Sequence, residues 1–281
     1  MENPNHTGNV ELHLINENEP YSANEVTPAL IIRSTLFYIG YIIATLIHAP
    51  LCLIIGPFLP FKPRYRFINL WSRFTIWWLG ITCNITYSLH GRENIPDTPG
   101  AVIVSKHQSQ WETFFLQLIF SPQATVLKRE LIWVPLFGWA LTLLRPIVIN
   151  RSNKREALKQ IIVQGKQRMQ EGCWILIFPE GTRTSLGESS KLSKGAFILA
   201  SETQFPVIPI AHNSGHCWRP HRFLKYPGHI TVEIGKPIES RDISIDTLMT
   251  KTRDWLQQRM HLISEVDAIN ATNITIPSDR E

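Results

Sequence analysis

The sequence predicts an α/β fold, a mixed and mostly parallel sheet flanked by helices, preceded by an N-terminal hydrophobic helical segment. Three observations carry this expectation. Beyond His90, short β-rich apolar runs alternate with helical stretches. Residues 34–61, "STLFYIGYIIATLIHAPLCLIIGPFLPF", contain no Asp, Glu, Lys or Arg. Ahead of them, the first 29 residues hold five Glu and no Lys or Arg, although the whole chain of 281 residues carries a net charge of +5.

Residues 1–27 are acidic, rich in Asn and Pro and without periodicity, which reads as a disordered leader rather than a signal peptide. The charge-free run that follows is long enough to cross the hydrocarbon core of a bilayer. His48, Pro50, Pro57 and Pro60 interrupt it, and a second aromatic segment, "FINLWSRFTIWWLGITCNITYSL", comes after the basic turn Lys62 to Arg66. One spanning helix and two helices dipping into one leaflet both fit residues 28–89. Trp71, Trp77 and Trp78 beside Arg73 suit a headgroup interface, and the positive-inside tendency puts Lys62, Arg64 and Arg66 on the cytoplasmic side.

Residues 90–263 are expected to form the α/β domain. Strands are expected at 101–105, 125–128, 147–150, 174–178, 207–211 and 230–234. Helix 154–171 carries an apolar stripe of Ala157, Ile161, Ile162 and Met169 and stops at Gly172. A second helix is expected at 245–263, with Leu248, Trp255, Leu256 and Met260 on one side, and 264–281 reads as a flexible tail. Cys52, Cys83, Cys173 and Cys217 show no C-x-x-C spacing, so neither a zinc site nor a disulfide framework is expected.

Two short motifs bear chemistry. "SKHQSQWET" follows the strand "AVIVS" and sets His107 five positions before Glu112. On an unbroken helix that step turns through about 500°, so the two side chains meet only if the helix starts between them. Ser109 and Glu112 have capping-box spacing, which starts a helix there and folds His107 back. The plain alternative is that Glu112 merely caps the backbone of Ser109 while His107 is an ordinary loop residue. "FPEGTRT", at the end of the run "CWILIF", puts Glu180, Gly181, Thr182 and Arg183 at another strand end. Gly181 allows close backbone approach, Thr182 offers a hydroxyl, and Arg183 a forked donor suited to phosphate or carboxylate. "LKRELIWVPLFGWAL" adds Lys128 and Arg129 beside apolar surface, and Lys191 and Lys194 add positive charge after the arginine loop.

With "KHQSQWET", "LKRELIWVPLFGWAL", "RPIVINR", "FPEGTRT" and "VIPIAHNSG" in this order, the chain resembles the glycerolipid acyltransferases, specifically bacterial 1-acylglycerol-3-phosphate O-acyltransferases. The resemblance covers roughly residues 90–238. It implies transfer of an acyl group from acyl-CoA or acyl-carrier protein to the sn-2 hydroxyl of lysophosphatidate at a membrane surface, with no metal, no organic cofactor and no nucleic-acid partner. It also implies a location at the bacterial inner membrane, with the catalytic domain facing the cytoplasm. The family's usual H-x-x-x-x-D has Glu112 at its acidic position here. On this reading His107 is the general base, Glu112 its orienting acid, and Lys128 and Arg183 hold the phosphate, helped by Arg129 and Lys194. Glu180 would bond a glycerol hydroxyl or pin Arg183. The rival readings are an acyltransferase for glycerol 3-phosphate or another lysophospholipid, a non-catalytic lipid-binding protein, and a metal hydrolase built on His107, Glu112 and His212.

Overall fold

The structure is a computed structural model that describes residues 26–184 and 191–274. The proposed leader therefore lies almost wholly outside the described residues, as does the end of the tail. Helix α1 (Pro28–Ile55) begins at Thr27, whose hydroxyl accepts from Leu30 N, with Pro28 in the first turn where no N–H is needed. Helices α2 (Phe61–Ile68) and α3 (Leu70–Cys83) fold back along it. Trp78 Nε1 donates to the carbonyls of Leu36 and Phe37 at 3.3 and 3.2 Å, and Trp71 Nε1 to Thr45 Oγ1 at 3.0 Å. Gly40 makes this close approach possible, because a Cβ there would collide with the indole of Trp78.

Seven strands follow: β1 (Ile85–His90), β2 (Val102–Ser105), β3 (Gln123–Lys128), β4 (Ile147–Ile149), β5 (Trp174–Ile177), β6 (Val207–His212) and β7 (Gly228–Ile234). Their order across the sheet is β1-β7-β6-β2-β5-β3-β4, and every pair is parallel except β6 with β7. Between them run α4 (Trp111–Ile119), α5 (Phe137–Thr142), α6 (Lys154–Gln170), α7 (Gly195–Thr203) and the single turn α8 (Ser214–Cys217), and α9 (Ile245–Ile274) closes the described chain.

Strand alternation sorts the central residues into two cores. Ile103, Leu176, Ile208 and Ile210 face a cluster containing Phe37, Leu79, Trp111, Phe115 and Trp218. Val102, Val104, Ile175, Ile177 and Val207 face the opposite cluster, with Ala157, Ile161, Phe197, Leu248 and Leu256. A third cluster joins Ala49 and Cys52 of α1 to Tyr65 and Ile68 of α2 and to Ala140 and Leu144. The four cysteines are buried and unbridged.

Each of the six expected strands is present, with ends shifted by up to two residues. Two expectations need correction. The α/β unit begins at Ile85, not at 90, because "ITYSLH" pairs with β7 from Ile85↔Gly228 onward. Its apolar alternation of Ile85, Tyr87 and Leu89 continues directly from the apolar helix before it, and only Asn84, left-handed at φ 54°, separates the two. Helix α9 also runs past 263 to Ile274, so the last residues of the described chain are helical rather than frayed. Pro28–Phe58 is the one helical stretch among the described residues long and apolar enough to cross a membrane, and Ile32, Ile47 and Ile54 on it stay 58–65% exposed.

Gly40→Ala should lower stability by about 1–3 kcal/mol through overpacking against Trp78. A thermal melt of the purified chain reads this as a lower midpoint, and an unchanged midpoint would show that α1 does not depend on this contact.

Candidate active site

Strand β2 lies between β5 and β6 and is parallel to both, in register Val104↔Ile177 and Ser105↔Ile210. The segments leaving the C-terminal ends of all three strands therefore converge on one point, where open α/β sheets place their sites. From β2 come Lys106 to Gln110, from β5 come Phe178 to Thr184, and from β6 come Asn213 and Ser214. The first two are stitched together: Thr184 N donates to His107 O at 2.8 Å and His107 N to Glu180 Oε2 at 3.3 Å.

At the centre sits Glu112, fully buried in the first turn of α4. Its Oε1 accepts from His107 Nδ1 at 2.8 Å, Gln108 N at 3.0 Å and Ser109 N at 2.9 Å. Its Oε2 accepts from Ser214 Oγ at 2.9 Å and from the hydroxyl of Ser109. Helix α4 starts at Trp111, two residues later than the capping-box spacing suggests, with Ser109 Oγ accepting from Trp111 N at 3.0 Å. Glu112 thus both caps the turn and orients the histidine. Burial pushes its carboxyl up; the bond from His107, the nearby His212 and His107 rings and the Ser109 hydroxyl outweigh this and hold it at about 2.

A carboxylate on Nδ1 fixes the His107 tautomer with its proton there, so Nε2 carries the lone pair. The ring stacks on Phe178 at 4.1 Å and 18°. Its neighbour Lys106 pairs with Glu180, whose Oε2 also accepts from Thr184 Oγ1 at 3.0 Å. Glu180 therefore braces the loop under His107 and does not pin Arg183, which instead donates Nε to Ser109 O at 3.1 Å.

His107 and Arg183 open onto a cavity of about 250 Å³ whose far walls are apolar, among them Cys52, Ile68, Ala140 and Leu144. Lys128 and Arg151 also line it, and Arg151 donates to Gly181 O at 2.6 Å, a carbonyl presented by a residue at φ 73°. The remaining candidates fall elsewhere. Arg129 lies over the Trp133 ring at 5.3 Å, Lys194 pairs with Asp246 at 2.8 Å, and Thr182 is exposed; none of the three lines the cavity. Sequence reasoning did not single out Arg151 or Ser214 as site residues, although both lie in blocks that carried the resemblance, "RPIVINR" and "VIPIAHNSG".

His212 is buried, and desolvation is the chief cause that lowers its pKa. Its Nε2 meets Lys106 O at 2.9 Å and its Nδ1 accepts from Ser214 N at 3.4 Å. Both ring nitrogens are engaged by backbone, so His212 has no lone pair to offer a metal alongside His107 and Glu112, and no such cluster occurs among the described residues.

The Acyltransferase family model matches residues 86–213, the span that holds His107, Glu112 and Arg183. A 1-acyl-sn-glycerol-3-phosphate acyltransferase of Pseudomonas aeruginosa is 45% identical over 239 residues, covering 84% of this chain and 93% of that protein. The chain belongs to the acyltransferase family. A 1-acyl-sn-glycerol-3-phosphate acyltransferase of Cocos nucifera is 27% identical over 246 residues, 85% of this chain and 73% of the plant protein. The crystal structure of the 1-acyl-sn-glycerophosphate acyltransferase of Thermotoga maritima shares the fold, with a TM-score of 0.71 at 20% identity over 83% of this chain and 95% of that one. This acyltransferase is accordingly an enzyme.

The depressed pKa of Glu112 gives a signed pH effect. Its ordinary value is 4.5 and its folded value about 2, so its stabilising contribution is complete above pH 4.5 and is lost as pH falls through about 2. In Glu112→Gln that limb of the acid-unfolding curve, followed by near-ultraviolet circular dichroism, should flatten. A variant that follows the wild-type limb would detach it from Glu112.

Proposed function

We propose that this acyltransferase moves a fatty acyl group from acyl-CoA or acyl-carrier protein to the sn-2 hydroxyl of 1-acylglycerol 3-phosphate, giving phosphatidic acid. The observation that carries the reading is the single cavity shared by the His107–Glu112 dyad, the cations Lys128, Arg151 and Arg183, and a deep apolar wall. A base, an anion site and an apolar recess together suit an amphiphile with a phosphate head and a hydroxyl to be acylated. The sequence of the Pseudomonas relative supports the same acceptor.

An alcohol does not attack a thioester until a base takes its proton in the transition state. Nε2 of His107 takes that proton as the hydroxyl oxygen bonds to the thioester carbon, and Glu112 stabilises the imidazolium that forms. When the carbon–sulfur bond breaks, the imidazolium returns the proton to the departing thiolate. Acyl group, proton and electron pairs balance without metal or organic cofactor. Lys128 and Arg183 hold the phosphate, with Arg151 beside them. The enzyme works at a lipid surface entered by the uncovered face of α1, with the basic turn Lys62 to Arg66 and the catalytic domain on the cytoplasmic side of a bacterial inner membrane. No nucleic-acid partner is involved.

Thiol release from acyl-CoA by the purified enzyme, with and without lysophosphatidate, tests the reaction. Release that does not depend on lysophosphatidate, or none at all, would overturn it. His107→Ala should lower turnover by about 10²- to 10⁴-fold while binding to lipid vesicles persists. Arg183→Ala should chiefly raise the KM for lysophosphatidate, and an unmoved KM would remove Arg183 from the phosphate site.

A further inference from the structure

Arg183 stands between two cavities. The second, of about 270 Å³, lies on the other side of Ser109 and Gln110 and is walled by Tyr38 of α1 and by residues 218–223, the loop between α8 and β7. Its lining holds three guanidinium groups, Arg183, Arg219 and Arg222, together with His221, and no Asp or Glu. Among the described residues none of the three arginines has a carboxylate within ion-pairing distance. Three guanidinium groups around one hollow, with no acidic side chain in its lining, set up a positive potential that attracts an anion. The Arg219 guanidinium lies over the Tyr226 ring at 4.5 Å, which occupies its face and leaves its NH edge for an acceptor. Arg183 spends Nε on Ser109 O and keeps its terminal NH groups.

The loop is held in place by an unusual pin. Lys225 is completely buried, and among the described residues no carboxylate pairs with it. Its ammonium donates to the carbonyls of Arg222 at 3.0 Å and Phe223 at 2.7 Å and to Tyr38 Oη at 2.9 Å, while its backbone N–H donates to Ser34 Oγ at 2.9 Å. Phe223 stacks on Tyr38 at 5.0 Å and 15°. The ammonium thus fixes the backbone that carries Arg222 and locks it to α1, the helix that walls both cavities.

We propose that Arg219 and Arg222 complete, with Arg183, a phosphomonoester subsite in this second cavity, where they select the anionic head of the acceptor, and that Lys225 is the positioning residue that holds their loop against α1. The inference rests on the acceptor reading above and refines it: the acceptor's single phosphate meets Arg183 from the second cavity, with Arg219 and Arg222 as its further partners in place of Lys128 and Arg151, which stay in the acylation cavity. The same phosphate chemistry is offered by the acyl donor when that is acyl-CoA and by anionic lipid in the membrane, so the test must separate three sources.

The full chain, purified in lipid of fixed anionic content, is assayed for thiol release with lysophosphatidate, with its uncharged counterpart monoacylglycerol, and with acyl-CoA as the varied substrate. Arg219→Ala with Arg222→Ala should raise the KM for lysophosphatidate about tenfold or more. The KM for acyl-CoA and the weak rate with monoacylglycerol should stay within about twofold. Inorganic phosphate should compete with lysophosphatidate in the wild type and compete more weakly in the double variant. Lys225→Met should move the lysophosphatidate KM in the same direction, and Tyr38→Phe, which keeps the ring and removes one acceptor, should do so more mildly if Lys225→Met does not fold. An equal rise in the acyl-CoA KM would reassign the cavity to the donor, and a loss confined to binding of anionic vesicles would reassign it to the membrane; either overturns the proposal, as does an unmoved lysophosphatidate KM. Failure of the acceptor reading is a different result, because the wild type itself would then show no lysophosphatidate-dependent thiol release.

Discussion

Everything at this site depends on one buried carboxylate. Glu112 gathers five donors: an imidazole, two backbone amides and two hydroxyls. They come from the turn after β2, from the first residues before α4, and from Ser214 after β6. An ionised carboxylate without partners would be severely penalised in this position, and its ionisation is sustained only while all three segments are assembled. The same carboxylate whose charge these donors satisfy also fixes the histidine tautomer, so folding and orientation of the His107 ring are a single condition here. The extra methylene of glutamate relative to aspartate lets the carboxylate reach back over the helix start, where it caps the backbone and still meets Nδ1.

Sheet order explains why the arginine loop is at hand. Placing β2 between β5 and β6, parallel to both, sends the histidine turn, the arginine loop and the serine turn off the same edge. The cross-links are made by backbone as much as by side chains: Thr184 N to His107 O and Arg183 Nε to Ser109 O tie the second loop to the first. Glu180 completes the bracing with Lys106 and Thr184. The negative charge of Glu180 is thus spent beneath the histidine rather than on the Arg183 guanidinium.

The sequence makes His107, Glu112 and Arg183 legible because each lies in a short block at a strand end, and it makes the six strands from β2 to β7 legible through their apolar runs. Other features are not local. Ser214 stands 102 residues from Glu112, and nothing in a linear pattern says that a serine after "VIPIAH" is a ligand of that carboxylate. β1 is hidden because a short strand with apolar Ile85, Tyr87 and Leu89 directly follows an apolar, aromatic helix, and composition alone does not divide them. Lys194 looks like a site residue because it follows the arginine loop closely, yet α7 carries it toward Asp246 on α9. Arg219 and Arg222 carry no motif, and the hollow they line exists only where their loop meets a helix some 180 residues earlier in the chain.

That helix has two stripes. Tyr41, Thr45, His48, Ala49 and Cys52, which share one side of the helix, line the first cavity, and Tyr38, one turn earlier, lines the second. Ile32, Ile39, Ile43, Ile47 and Ile54 make an uncovered stripe facing away. One face of α1 therefore lines the cavities, while the other is apolar surface that no described residue covers. Whatever apolar phase the outer stripe enters, the mouths of both cavities are held at a fixed height above it, because Trp78, Trp71 and Lys225 bind the helix to α3 and to the loop before β7. A division between an N-terminal anchor and a catalytic domain, natural from composition, fails on this ground. Removing α1 would take a wall from each cavity and the Tyr38 acceptor from Lys225, so the apolar segment and the basic body belong to one site.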